Sequence, residues 1–546
     1  VDGSLVFGLP LIVFALQSKL VEQFEYGQAI TAAAMAGIYL VLAKVLWQPE
    51  KNGFRLLAES FLALGVTFAS LAIPLYFDGR WTAAVWSLEG AALVWVGLRQ
   101  SHFIPRAFGL LLSVGAGLIF IESIETKLPE SMAIINSAYI GMVLVSLSAF
   151  FIAYLYERNK DTAYSFEFKA SVLMIIWGLL WWFIAGLSEI DRYVSNHYEV
   201  KMAILFISLS TLAQIIASYK LKWTNISLSI ILFTPVLFIS MFASLIDSSG
   251  DNPMAYLGFI VWPVALFVHV LILRRRESTW GTRRLNTWHA IGVWIAAFII
   301  IWAIGDWAQG LYEFNDTWVD SIIGLTLAFI VWSMMRWGKK VVWPVGKYQR
   351  AYYLLGLLPV MFGLLIWQLA MINEDANPNL FTYIPVLNPL DITQALAAIV
   401  MVYWLRFINT QGELAIPPSF IVGVAGIMSF TWVNIVIART VHSVAAVNYS
   451  DYSMMNSSIF QTSTSIVWSV IAMALMALAF RKSSRHFWFA GASLLALVVL
   501  KLFFVDLAES GSISRIVSFL VVGGLMLVIG YLSPLPPKVE AEQRVG

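Results

Sequence analysis

MAYLGFIVWPVALFVHVLILRRRESTWGTRRLNTWHAIGVWIAAFIIIWAIGDWA, residues 254–308, decides the fold. Two apolar runs, 254–274 and 286–308, flank a turn that carries Arg274, Arg275, Arg276, Arg283 and Arg284. A run of about 20 apolar residues coils into a helix long enough to cross a bilayer. In hydrocarbon only a helix or a closed barrel satisfies every backbone N–H and C=O. The arginines gather where the chain turns, because carrying a charge into lipid is costly. The stretch therefore reads as two membrane-spanning helices joined by a basic turn.

The same reading extends along the whole chain. Spans are expected at 3–19, 27–47, 55–76, 82–99, 106–123, 133–156, 166–187, 199–219, 225–246, 254–274, 286–308, 317–337, 349–371, 389–408, 416–443, 461–481, 486–506 and 513–533. The expected fold is all-α and integral to the membrane, with about 18 transmembrane helices arranged as repeated hairpins. Composition agrees: of 546 residues, 60% are hydrophobic and 12% charged. Soluble domains carry roughly 25% charged residues. A net charge of +2 gives no reason to expect a nucleic-acid partner. With no cysteine, disulfides, thiolate metal sites and cysteine nucleophiles are all excluded.

Charge placement orients the chain. If Val1 is cytoplasmic, only Lys19, Arg80, Lys127, Arg192, Lys201, Arg439, Lys501 and Arg515 fall on the outer side; the other 26 of the 34 basic residues fall on the inner side. Basic residues concentrate in short cytoplasmic connections. The expectation is a bacterial inner (cytoplasmic) membrane protein, with both termini cytoplasmic. Residues 1–533 form one polytopic domain and 534–546 a short cytoplasmic tail. No basic leader with a cleavage site opens the chain, so it reads as a piece of a longer protein. The outer side is acidic, which fits a solvated rim or a surface that attracts cations or sugars.

A repeat is visible at an offset of 382. Val85-Trp86-Ser87 recurs as Val467-Trp468-Ser469, and Arg99 and Gly109 meet Arg481 and Gly491. This relates the hairpin at 82–123 to the one at 461–506. Twelve helices separate them, or about 64 residues per hairpin, the interval of a stacked helical array.

Three stretches resemble one family. They are Trp81–Ala92; Arg439-Thr440-Val441-His442 followed by Gln461-Thr462-Ser463 and Ser465-Ile466-Val467-Trp468; and Leu500–Leu507 followed by Ser514–Leu520. They are similar to the membrane proteins of domain of unknown function 2339. The resemblance spreads over most of the chain. It implies a multi-pass bacterial membrane protein, longer at its N-terminus, and brings no activity.

Ionisable groups at membrane depth are costly and mark either helix-locking pairs or functional sites. Glu89 sits mid-span beside Gly90-Ala91-Ala92 and reads equally well as a paired carboxyl or a site. Arg439 and His442, spaced i, i+3, share a helix face. They combine a bidentate anion holder with a group that titrates near neutrality, followed by Gln461. Their plainer role is to anchor a helix end. Lys501, Asp506 and Arg515 gather at one corner, as an internal pin or an anion clamp. Asp306, Trp307, Glu313, Asp316 and Asp320 form an acidic, aromatic outer cluster suited to sugars, amines or cations. The competing reading is an aromatic belt at a wet loop.

Phosphate-loop, metalloprotease and nucleophile-elbow motifs are absent, so no metal and no cofactor is expected and the sequence names no reaction. Membrane lipids are the expected surroundings. Three functions stay open. One is binding or processing of a lipid-linked or glycan envelope ligand in an outward-facing cavity. Another is a transporter or ion pathway. The third is a scaffold for envelope protein partners.

Overall fold

The computed structural model describes residues 2–47, 54–76, 79–124, 132–164, 167–246, 252–311, 314–481, 485–502 and 504. Among these residues the chain is all-α, with no strand. Fifteen helices are long and apolar enough to cross a membrane. Two shorter apolar helices, Leu5–Leu20 and Phe487–Lys501, occupy the places expected for the first and seventeenth spans. The expected eighteenth span at 513–533 and the tail at 534–546 lie outside the described residues.

Chain contacts divide the protein into two units, Val1–Thr279 and Trp280–Gly546. The first contains α1 Asp2–Leu20, α2 Gly27–Leu46, α3 Arg55–Tyr76, α4 Gly79–Arg99, α5 Phe103–Ile124, α6 Ser137–Arg158, α7 Phe168–Tyr193, α8 Asn196–Lys220, α9 Phe233–Ile246 and α10 Gly258–Arg276. Pairs joined by basic turns pack most extensively: α2 on α3, α4 on α5 and α6 on α7. Small residues set how closely they approach. A Cβ on Gly109 would stand 2.5 Å from the Gly90 carbonyl, so α4 and α5 touch backbone to backbone there. Alanines and bulky side chains interlock around them, with Ala83, Ala116, Phe120, Val145, Trp181 and Ala185 forming one cluster. Leu111 and Ile104 lie more than half exposed on the surface of this unit, as apolar side chains of a membrane-spanning helix can.

One buried charge pair ties two basic turns of this unit together. Arg106 at the start of α5 meets Glu167 before α7 at 3.0 Å, and both side chains are buried. Glu167 is thereby the partner of a residue read from sequence only as part of a basic turn.

The second unit contains α11 Thr282–Gln309, α12 Asp316–Trp337, α13 Leu357–Ala370, α14 Pro389–Thr410, α15 Pro418–Ala445, α16 Asp451–Met455, α17 Ser458–Arg481 and α18 Arg485–Lys501. A segment at 342–356 coils more widely before α13. Prolines at the first turns of α14 and α15 cost no hydrogen bond there. In α17 and α18, a Cβ on Gly491 would stand 2.9 Å from the Ala472 carbonyl. Gly109 and Gly491, and likewise Gly90 and Ala472, are 382 residues apart.

Tryptophan does more here than form a belt. A buried indole N–H gains by finding an acceptor, and several find a carbonyl on a neighbouring helix. Trp294 donates to Leu355 at 3.0 Å, Trp404 to Tyr353 at 2.9 Å and Trp367 to Asp320 at 3.1 Å. Each bond fixes one helix against another.

Candidate functional site

The densest polar cluster of the second unit is built around Arg439. Its guanidinium is fully buried near the end of α15. Nη1 donates to Asp391 Oδ1 at 2.6 Å and to Gln394 Oε1 at 2.7 Å. Nη2 donates to the Met371 carbonyl at 2.7 Å, and Nε to the Glu374 carbonyl at 2.9 Å. Those carbonyls lie in the turn that directly follows α13, where unpaired acceptors and the helix dipole favour a cation. Asp391 and Gln394 lie in the first turns of α14. One side chain thus closes three helix ends.

Local sequence prepares the partners. Asn388 caps α14: its Oδ1 accepts from Leu390 N at 2.9 Å, while its Nδ2 donates to the Ala376 carbonyl at 2.8 Å. Tyr383 donates its hydroxyl to Asp391 Oδ2 at 2.8 Å, so both carboxylate oxygens are used. Burial, then the Asp391 charge, pushes the Tyr383 phenol above the usual tyrosine range. Trp432 on α15 donates to the Asp391 carbonyl at 2.9 Å.

His442 lies one turn beyond Arg439. Its Nδ1 is 2.7 Å from the Val447 carbonyl and its Nε2 is 3.7 Å from Asp375 Oδ2. Tyr449 donates to the Ile372 carbonyl at 2.9 Å, and burial raises its phenol as well. The loop after α15 is therefore clipped to the loop before α14. Gln461 lies apart from this cluster: its Nε2 donates to the Met455 carbonyl at 2.8 Å. Lys501 meets it through the backbone, with Nζ 2.8 Å from the Gln461 carbonyl and 2.8 Å from Ser465 Oγ. Asp506 and Arg515 lie outside the described residues.

The acidic, aromatic cluster is spread out. Trp307 and Asp306 are exposed at the end of α11. Asp316 opens α12, and Asp320 is half-buried one turn later in the fields of Glu374 and Asp316. Trp318 stacks on Phe314 at 5.2 Å. Asn315 and Thr317 donate to the Asn377 carbonyl at 2.6 and 3.1 Å, which ties this end to the loop before α14. Glu313 lies outside the described residues. No group of three or more His, Asp or Glu side chains among the described residues is arranged to hold a metal.

In the first unit, Ser70 on α3 donates to Glu89 Oε1 on α4. Trp86 holds the Ser70 carbonyl at 2.8 Å. Glu89 Oε2 is buried and has no hydrogen-bond partner among the described residues.

One cavity involves residues that the sequence did not single out. A groove of about 470 Å³ runs between α14 and α15. Its α14 wall is Ala395, Ala398, Ile399, Val402 and Tyr403, ending at Arg406; Ala425, Met428, Ser429 and Trp432 of α15 face it. The α14 positions follow the i, i+3, i+4, i+7 rhythm of one helix face, and the small alanine side chains leave room for the groove. That rhythm was present in the sequence, but it also describes an ordinary packing face. The same Trp432 that holds the Asp391 carbonyl lines the groove, so the Arg439 cluster fixes one of its walls.

Fifteen helices among the described residues that are long and apolar enough to cross a membrane, with buried polar locks between helices, define a multi-pass α-helical membrane protein. The chain belongs to the family described as predicted membrane protein DUF2339, matched over residues 1–536. No curated protein and no solved structure matches it.

Proposed function

We propose that this protein binds an anionic amphiphile drawn from the bilayer, a lipid or a lipid-linked ligand, in the groove between α14 and α15. The groove ending at Arg406 carries this reading. Its walls are apolar, its volume lies in the range of small-molecule sites, and its length along α14 from Ala395 to Arg406 is about 16 Å. An alkyl tail suits the walls. A phosphate or carboxylate head suits Arg406, which is exposed and forms no ion pair among the described residues. The lining holds no carboxylate or imidazole that would activate Ser429, which favours binding over catalysis.

In the orientation proposed from charge, with both termini in the cytoplasm of a bacterial cell, Arg406 lies at the cytoplasmic interface. Anionic lipids and basic residues meet on that face. The outer cluster around Arg439 then serves as a positioning device for the groove wall, and a ligand on the outer face would be a glycan or head group lying over the interlocked loops. Native mass spectrometry of the protein released from anionic nanodiscs tests the reading. Ala398→Trp should fill the groove, and Arg406→Gln should remove the head-group contact. Loss of a retained lipid in both variants is expected. Equal retention in wild type and both variants would sink it.

A second reading, an ion or proton pathway, is favoured by Glu89 alone. A mid-span carboxyl with one buried, unpartnered oxygen is the group such pathways use. Proteoliposome flux that Glu89→Gln abolishes would support it; equal flux in both forms would remove it.

A further inference from the structure

A second cavity lies in the first unit, and its chemistry differs from that of the groove. It measures about 190 Å³, about six water volumes. Ser218 lines it from the last turns of α8, Thr224 and Ser227 from the connection to α9, and Arg275 and Arg276 from the last turn of α10. Isoleucine side chains form the apolar remainder. Two guanidinium groups and the Ser218 hydroxyl supply donors to this small space, while the Thr224 hydroxyl donates to Glu157 and the Ser227 hydroxyl to the Thr224 carbonyl.

We infer that this pocket binds a phosphoryl group. Arg276 donates to the Ser227 carbonyl, which fixes its guanidinium at the pocket edge. Arg275 lies over the Tyr219 ring at 5.4 Å from its centroid, so its plane is held while its N–H groups stay available. Neither arginine has a carboxylate partner among the described residues. Glu157, the acid beside this corner, is already engaged. It accepts from Thr224 N at 2.6 Å, from the Thr224 hydroxyl and from Asn225 N at 3.1 Å. Arginine matches the oxygen geometry of phosphate through paired N–H donors, and the Ser218 hydroxyl adds a further donor. The three-arginine turn thus has a use beyond orienting the chain.

Phosphate of this kind comes from two sources, a soluble phosphate or phosphomonoester and a phospholipid head group. The test has one arm for each. In the first, purified full-length chain in detergent is titrated with inorganic phosphate by calorimetry, against chloride at matched ionic strength. In the second, nanodiscs of phosphatidylglycerol or phosphatidylcholine are compared for lipid retained on release. Arg275→Gln and Ser218→Ala are the variants, because neither side chain supports a described hydrogen bond of the fold. Saturable phosphate binding, weakened at least tenfold by Arg275→Gln, establishes a soluble ligand. No phosphate binding, with retained phosphatidylglycerol lost in Arg275→Gln, establishes a head group. No binding in either arm, or binding that both variants leave unchanged, overturns the inference. Ala398→Trp should not affect this pocket, so its failure and that of the groove are separable.

Discussion

Arg439 on α15 and Asp391 on α14 form an ion pair with 2.6 Å between Nη1 and Oδ1, and both side chains are wholly buried. Four hydrogen bonds from the guanidinium and a second carboxylate bond from Tyr383 satisfy the pair. A buried ion pair repays its desolvation only when its remaining donors and acceptors are met in this way.

Removing one partner leaves the other charged and buried. Arg439→Ala should destabilise the second unit by about 3–5 kcal/mol. Arg439→Lys should recover only part of that, because an ammonium cannot fork to four acceptors. Thermal unfolding followed by tryptophan fluorescence measures both, and a midpoint unmoved by Arg439→Ala would contradict the lock.

The tyrosine phenols beside this pair give a pH signature. Tyr383 and Tyr449 have raised folded values. Their contribution is complete below the ordinary tyrosine value and is lost as pH rises above about 10, where the unfolded chain ionises first. Stability should fall by up to about 1.4 kcal/mol per pH unit for each phenol in that range. Tyr383→Phe should flatten the slope between pH 10 and 11.5; an unchanged slope would remove Tyr383 as its source.

Close helix approach should be sensitive to one methyl group. Gly109→Ala places a Cβ 2.5 Å from a backbone carbonyl, which cannot yield as a side chain does. A clear loss of thermal stability is expected. Gly423→Ala on α15 has nothing within 4 Å of its new Cβ and is the control, expected to be neutral or up to about 1 kcal/mol stabilising. Equal midpoints for the two variants would disprove the contact.

Absence of cysteine makes orientation directly measurable. Single cysteines at Leu380 and Ser278 should respond oppositely to a membrane-impermeant maleimide added to intact cells. Labelling at Leu380→Cys and protection at Ser278→Cys is the outcome expected of cytoplasmic termini. The reverse pattern would invert the topology.

Lys501 bridges α18 to α17 through the Gln461 carbonyl and the Ser465 hydroxyl. Lys501→Met keeps the apolar stem and loses those bonds. Proteolysis near 485–501 should accelerate severalfold, and unchanged cleavage would show that the bridge does not hold α18.

Sequence alone determined the solvent and the all-α class. Apolar runs of bilayer length, separated by arginine-rich turns such as Arg274–Arg276, admit only membrane-crossing helices, because each helix satisfies its own backbone. That property is local, so it can be read without knowing any partner. The polar groups are different, since their role depends on what stands beside them. Arg439 and His442 share a face in any helix, but only folding brings Asp391, Gln394 and two carbonyls, from residues 45 to 68 positions away, onto the guanidinium. Arg406 reads as one more inner basic residue until α15 packs beside α14 and leaves a groove that ends at it. Likewise Arg275 and Arg276 come to line one pocket only when Ser218 and Ser227 close around them. Hydropathy is a sum over neighbours in the chain, whereas a site is a set of neighbours in space.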